Sequence, residues 1–109
     1  MITNLRYITT VNHSTAAATT TPYFDLADKN TVTLHIQALG APTGTFTIQG
    51  TNHPEQLDPQ TVTPTTGTLP TPAGGPASAI VGIANAPRWV RVSWAGTGTG
   101  TFAVYVRAV

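Results

Sequence analysis

The chain holds four carboxylates, three histidines and no cysteine, so any chemistry has to be assembled from few parts. Asp25 and Asp28 flank a turn after Tyr23 and Phe24, and Glu55 and Asp58 fall in a proline-rich stretch. A close carboxylate pair binds a hard cation or divides acid and base work between its members. An aspartate ahead of a turn more often bonds its own backbone, and solvated turn acids are the expectation here. His13, His35 and His53 are far apart and lack the short spacings of a zinc site. His35 alternates with threonines, as a surface or interface histidine does. No Gly-x-Ser-x-Gly elbow occurs, and the run from Gly96 to Gly100 lacks the lysine of a phosphate cradle and reads as a turn. The expectation is a protein with no catalytic residues, no metal and no cofactor.

The elements that would position any site are strands. Threonine (22 of 109 residues), valine and isoleucine are stiff at Cβ and favour extended backbone, while nine prolines and ten glycines interrupt every helical period. Strict alternation turns Val32, Leu34, Ile36 and Ala38 to one side, and it does the same for Phe46 and Ile48, for Val90, Val92 and Trp94, and for Phe102, Val104 and Val106. Weaker runs are Leu5 to Val11, Pro22 to Leu26, Thr61 to Thr63 and Ala77 to Ile83. About seven or eight short strands in one domain, residues 1–109, predict an all-β antiparallel sandwich or jelly roll, with a barrel as the alternative. Glycine-rich turns predict tight hairpins at Gly40 to Gly44 and at Ala95 to Gly98.

Two stretches stand outside this pattern. From Gly50 to Pro76 the chain places Pro54, Pro59, Pro64, Pro70, Pro72 and Pro76 in 27 residues. Each proline removes a backbone donor, which predicts a long loop with at most one short strand near Thr61 to Thr63. Connections this long tend to be either functional or disordered, and a contact arm reaching a neighbour is expected over a floppy insertion. The run Thr15 to Thr21 reads as a surface link.

The outward positions are the informative ones. Trp89, Arg91, Tyr105 and Arg107 all alternate away from the core, on two strands that the hairpin at Ala95 to Gly98 would make neighbours. Trp, Tyr and Arg dominate binding hot spots and stack ring on guanidinium, which predicts an interface at these four residues. Only nine side chains are charged, with a net charge of +1, so the chain has no electrostatic footprint for nucleic acid or an anionic membrane. No stretch approaches the roughly 18 apolar residues of a membrane span, and Met1 to Arg6 does not open an export signal. Synthesis in the cytoplasm without export is expected.

The succession Tyr23-Phe24-Asp25-Leu26, Asn30 to Ile36, Thr43 to Asn52, Arg88 to Trp94 and Gly98 to Val106 resembles small β-sandwich proteins of tailed bacteriophage virions. It departs from them where Gly50-Thr51-Asn52 is followed by His53-Pro54, since those proteins commonly carry a glycine-serine-asparagine-aspartate-glycine turn there. The resemblance implies a non-enzymatic capsid decoration or cement protein on the virion head surface, made in the host cytoplasm. Its partner would be the major capsid protein, and it would act as a homo-oligomer, with a trimer favoured for positions of local threefold symmetry. The alternative is a carbohydrate- or receptor-binding module of a phage tail fibre, since such sandwiches also present Trp and Tyr to sugar faces.

Overall fold

Residues that alternate between apolar and polar can bury only one face of a sheet, so two such sheets must close on each other. The computed structural model describes residues 6–9 and 12–109, and every regular element among them is a strand. These are β1 (Arg6–Thr9), β2 (His13–Ser14), β3 (Thr19–Thr20), β4 (Phe24–Asp25), β5 (Thr31–Gly40), β6 (Thr43–Thr51), β7 (Gln60–Thr61), β8 (Ala77–Ala84), β9 (Trp89–Thr97) and β10 (Gly100–Ala108). Of the run predicted from Leu5 to Val11, the residues Leu5, Thr10 and Val11 lie outside the described residues.

Sheet A has the order β1-β10-β5-β8, with β2 continuing the β1 edge along β10. Sheet B has the order β3-β9-β6-β7, with β4 following β3 along β9. All pairings are antiparallel. Taking β1 with β2 and β3 with β4 as two interrupted strands leaves eight strands, and successive ones alternate between the sheets everywhere except from β6 to β7. That connectivity is a jelly roll. The predicted inward residues of β5, β6, β9 and β10 are all buried, and Trp94, Phe46 and Phe102 form its aromatic centre with ring centroids 4.8, 5.1 and 6.4 Å apart.

The two predicted hairpins are not hairpins. After Gly40 the chain leaves sheet A and enters sheet B as β6, and after Thr97 it leaves sheet B and enters sheet A as β10. The two crossings stack, with Gly40 opposite Gly100, Thr43 opposite Thr97, and the amide of Ala41 donating to the carbonyl of Thr99 at 2.8 Å. A glycine turn serves a hairpin or a crossing equally well, and burial decides. Each of the four strands has one apolar face, and crossing lets those faces cover each other. Gly98, at φ 102°, supplies a backbone conformation at the crossing that other residues rarely adopt.

The proline-rich stretch is held along the edges of its own domain, not extended as a free arm. β7 pairs with the end of β6, Thr65 and Thr66 bond Gly82 of β8, and Pro72 accepts from the Gly44 amide. Prolines suit this task, because an edge strand needs donors on one side only. The run Thr15 to Thr21 is no surface link at its ends. Thr15 and Thr21 are buried, and between them Thr19 and Thr20 pair with β9. The Thr15 carbonyl accepts from Trp94 Nε1 at 3.1 Å, and Thr21 Oγ1 accepts from the Val92 amide at 3.0 Å.

Candidate functional site

Because β9 and β10 belong to different sheets, the four predicted interface residues divide between opposite outer faces of the sandwich. Trp89 and Arg91 lie on sheet B, and Tyr105 and Arg107 on sheet A. The cross-strand patch expected from a β9–β10 hairpin does not form. Each pair keeps its outward direction and meets partners that strand spacing alone does not disclose.

On sheet B the guanidinium stacks involve other rings. Arg91 Cζ lies 4.7 Å from the centroid of Tyr23, and its Nε donates to Gln49 Oε1 at 2.8 Å from the directly opposite position on β6. Arg88 Cζ lies 4.7 Å from the Trp89 ring, while its Nε reaches Asp25 Oδ1 at 3.2 Å. Trp89 Nε1 and the Tyr23 hydroxyl are buried without a hydrogen-bond partner. Tyr23, Arg88 and Asp25 therefore belong to this face, and the readable signal for two of them was the β4–β9 register that sets Asp25 opposite Trp89.

On sheet A the register sets Tyr105 opposite His35 and His35 opposite Ile80, one row across three strands. The His35 and Tyr105 rings lie 5.7 Å apart, and Ile80 is 62 % exposed and Tyr105 41 %. Together with Ile8, Thr33, Val106 and Arg107 they line a shallow depression of about 280 Å³ with a mostly apolar floor. At the low end of the roughly 300–1,000 Å³ of small-molecule pockets, and shallow, it suits a protruding apolar group of a macromolecular partner. Sequence alternation identified Tyr105 and Arg107. Ile80 escaped it, because an isoleucine in a strand is ordinarily read as core.

The acids behave as turn and ion-pair groups. Asp25 Oδ1 accepts from the Ala27 amide at 2.9 Å, closing the turn expected of it, and also faces Arg88. Lys29 Nζ lies 2.7 Å from Asp28 Oδ1. That hydrogen bond, then a backbone hydrogen bond, then the Lys29 charge hold the Asp28 carboxyl below its ordinary 3.8. Because folding lowers this pKa, the associated stability is fully present above about pH 4 and is lost as pH falls through the folded value. Lys29→Met is expected to raise the Asp28 titration midpoint toward 3.8 in carboxyl NMR, and an unmoved midpoint would refute the pairing. Among the described residues no three of His, Cys, Asp and Glu gather closely enough to hold a metal ion.

The described charged side chains gather in one half of the molecule. Asp25, Asp28 and Lys29 precede β5, Glu55 and Asp58 follow β6, and Arg88 precedes β9, all at the end opposite the stacked crossings. Arg91 and Arg107 sit two or three residues in from that same end. The crossing end is built mainly from Gly, Ala, Pro and Thr, with Leu39, His13 and Ser14 beside them. No protein-family model, curated protein or solved structure matches the chain.

Proposed function

We propose that the chain is a non-enzymatic structural protein of a virion, a decoration or cement protein that docks on the assembled head lattice through its major capsid protein and braces it. One observation carries this reading: the row of exposed Tyr105 and Ile80 with half-buried His35 between them on the outer face of sheet A. A sheet face that presents apolar and aromatic side chains in register offers a partner area to cover. The scarcity of charge supports it as well, since many copies side by side on a shell repel one another less.

The mechanism is mass action. A protein that binds the assembled lattice and not its free subunits adds its binding free energy to the assembled state, about 2.7 kcal/mol per site when its concentration is a hundredfold above Kd. The tail-fibre alternative draws no support from Trp89. Its ring lies under Arg88, and its Nε1 is buried away from any sugar hydroxyl.

Electron microscopy of particles carrying the chain tests the proposal. Density at regular positions over the head is the expected result. Density only at the tail tip, or none on the head, would overturn it.

A further inference from the structure

The connection from β6 to β7 is closed into a rigid tip. Thr51, itself buried, donates its hydroxyl to the Leu57 carbonyl at 2.8 Å and accepts from the His53 amide at 3.0 Å. The Gln56 amide donates to the His53 carbonyl, and the Glu55 amide to His53 Nδ1. Gln56 and Asp58 hold φ near 60° and 54°, the left-handed region that residues other than glycine seldom occupy. Within this bonded turn Leu57 is 53 % exposed, and in sequence it lies between Glu55 and Asp58.

The described side chains leave a matching remainder of charge. Asp25 and Asp28 pair with Arg88 and Lys29, and Arg91 is engaged by Tyr23 and Gln49. Arg107 is the one described cation without such a partner, and it lines the depression on sheet A. Among the described residues Glu55 and Asp58 are the acids without a cation, Asp58 accepting from Gln60 Nε2 at 3.2 Å, and in sequence they lie on either side of Leu57 in the tip that hangs from sheet B.

We propose that the chain associates with copies of itself head to tail, the Leu57 tip of one copy seated in the Ile80 and Tyr105 depression of the next, with Glu55 and Asp58 against Arg107. The occupant follows from two features: an apolar tip for an apolar floor, and the acids Glu55 and Asp58, which have no cation among the described residues, for the unpaired Arg107. Tip and depression belong to different sheets, so one copy uses both at once. Such a contact is heterologous and closes into a ring or continues as an open array. The pre-set tip loses little entropy on docking. The tip would occupy the same face of sheet A that the lattice reading offers to the capsid protein, so the two are rivals for that face, and this one is tested on the purified chain alone.

Sedimentation equilibrium over a wide concentration range, with thermal unfolding as a check on folding, tests it through two variants. Leu57→Glu spoils the tip and leaves the depression intact, while Ile80→Asp does the reverse. Each alone is expected to associate at least about tenfold more weakly than the unaltered chain. Mixed, they are expected to form one-to-one heterodimers, because one intact tip still finds one intact depression. Arg107→Glu is expected to weaken association, and adding Glu55→Arg to restore part of it. A monomeric unaltered chain, single variants that associate like it, or a mixture that stays monomeric while the unaltered chain associates would each overturn the proposal.

Discussion

Trp94→Ala is expected to lower the free energy of unfolding by about 4 kcal/mol, measured as a fall in the denaturant midpoint at unchanged slope. Trp94 is 1 % exposed, packs on Phe46 and Phe102 in the middle of the sandwich, and donates Nε1 to the Thr15 carbonyl at 3.1 Å. Truncation removes the ring from the core, leaves a void between two sheets that cannot collapse independently, and leaves a buried carbonyl without its donor. Domains of this size have about 5–15 kcal/mol in total, so much of the population would unfold at moderate temperature. Trp94→Phe separates the two causes. It keeps an aromatic ring and loses the hydrogen bond, and about 1–3 kcal/mol is expected. A Trp94→Ala loss under 1 kcal/mol would mean that the centre is far more plastic than this packing allows.

Gly96→Ala is expected to destabilise by about 3 kcal/mol, although it adds a single methyl group. A Cβ at Gly96 would stand 2.3 Å from the Thr43 carbonyl oxygen, 2.6 Å from the Trp94 ring and 2.7 Å from the Gly44 Cα. Two of those neighbours are backbone of β6, so relief requires β6 and β9 to separate where the two crossings stack. Gly75→Ala is the control, with nothing within 4 Å of the new atom. It is expected to change stability by no more than about 0.5 kcal/mol in either direction. Equal effects at Gly96 and Gly75 in thermal and denaturant unfolding would sink this account of the corner.

The contrast between these glycines marks how far the residues could be read. Period-two alternation identified the buried faces of β5, β6, β9 and β10 residue by residue, because a strand with one wet face has only one way to turn. Which sheet each strand joins was not legible. Gly40 and Gly98 announce a change of direction, but a change within a sheet and a change between sheets look alike until the other strands are placed. That ambiguity divided Trp89 and Arg91 from Tyr105 and Arg107 while leaving all four outward of the core. Short pieces were missed for a related reason. Thr19 and Thr20 carry too little apolar periodicity to register as a strand, and they are held by backbone bonding to β9 and by the buried hydroxyl of Thr21 beside them. The site residues from further afield, Tyr23, Arg88 and Ile80, required the strand register.

The position of β10 has a consequence for biosynthesis. It lies between β1 and β5, inside sheet A, although it is the last strand in chain order. Until residues 100–108 emerge from the ribosome, β5 and β1 have no strand to join them, and β6 and β9 have half a core to cover. Loop closures across most of the chain must precede the contacts that reward them, which places folding in the slow, millisecond-to-second regime of non-local β topologies. A nascent chain stalled before Gly100 should expose sticky, unpaired edges that invite aggregation.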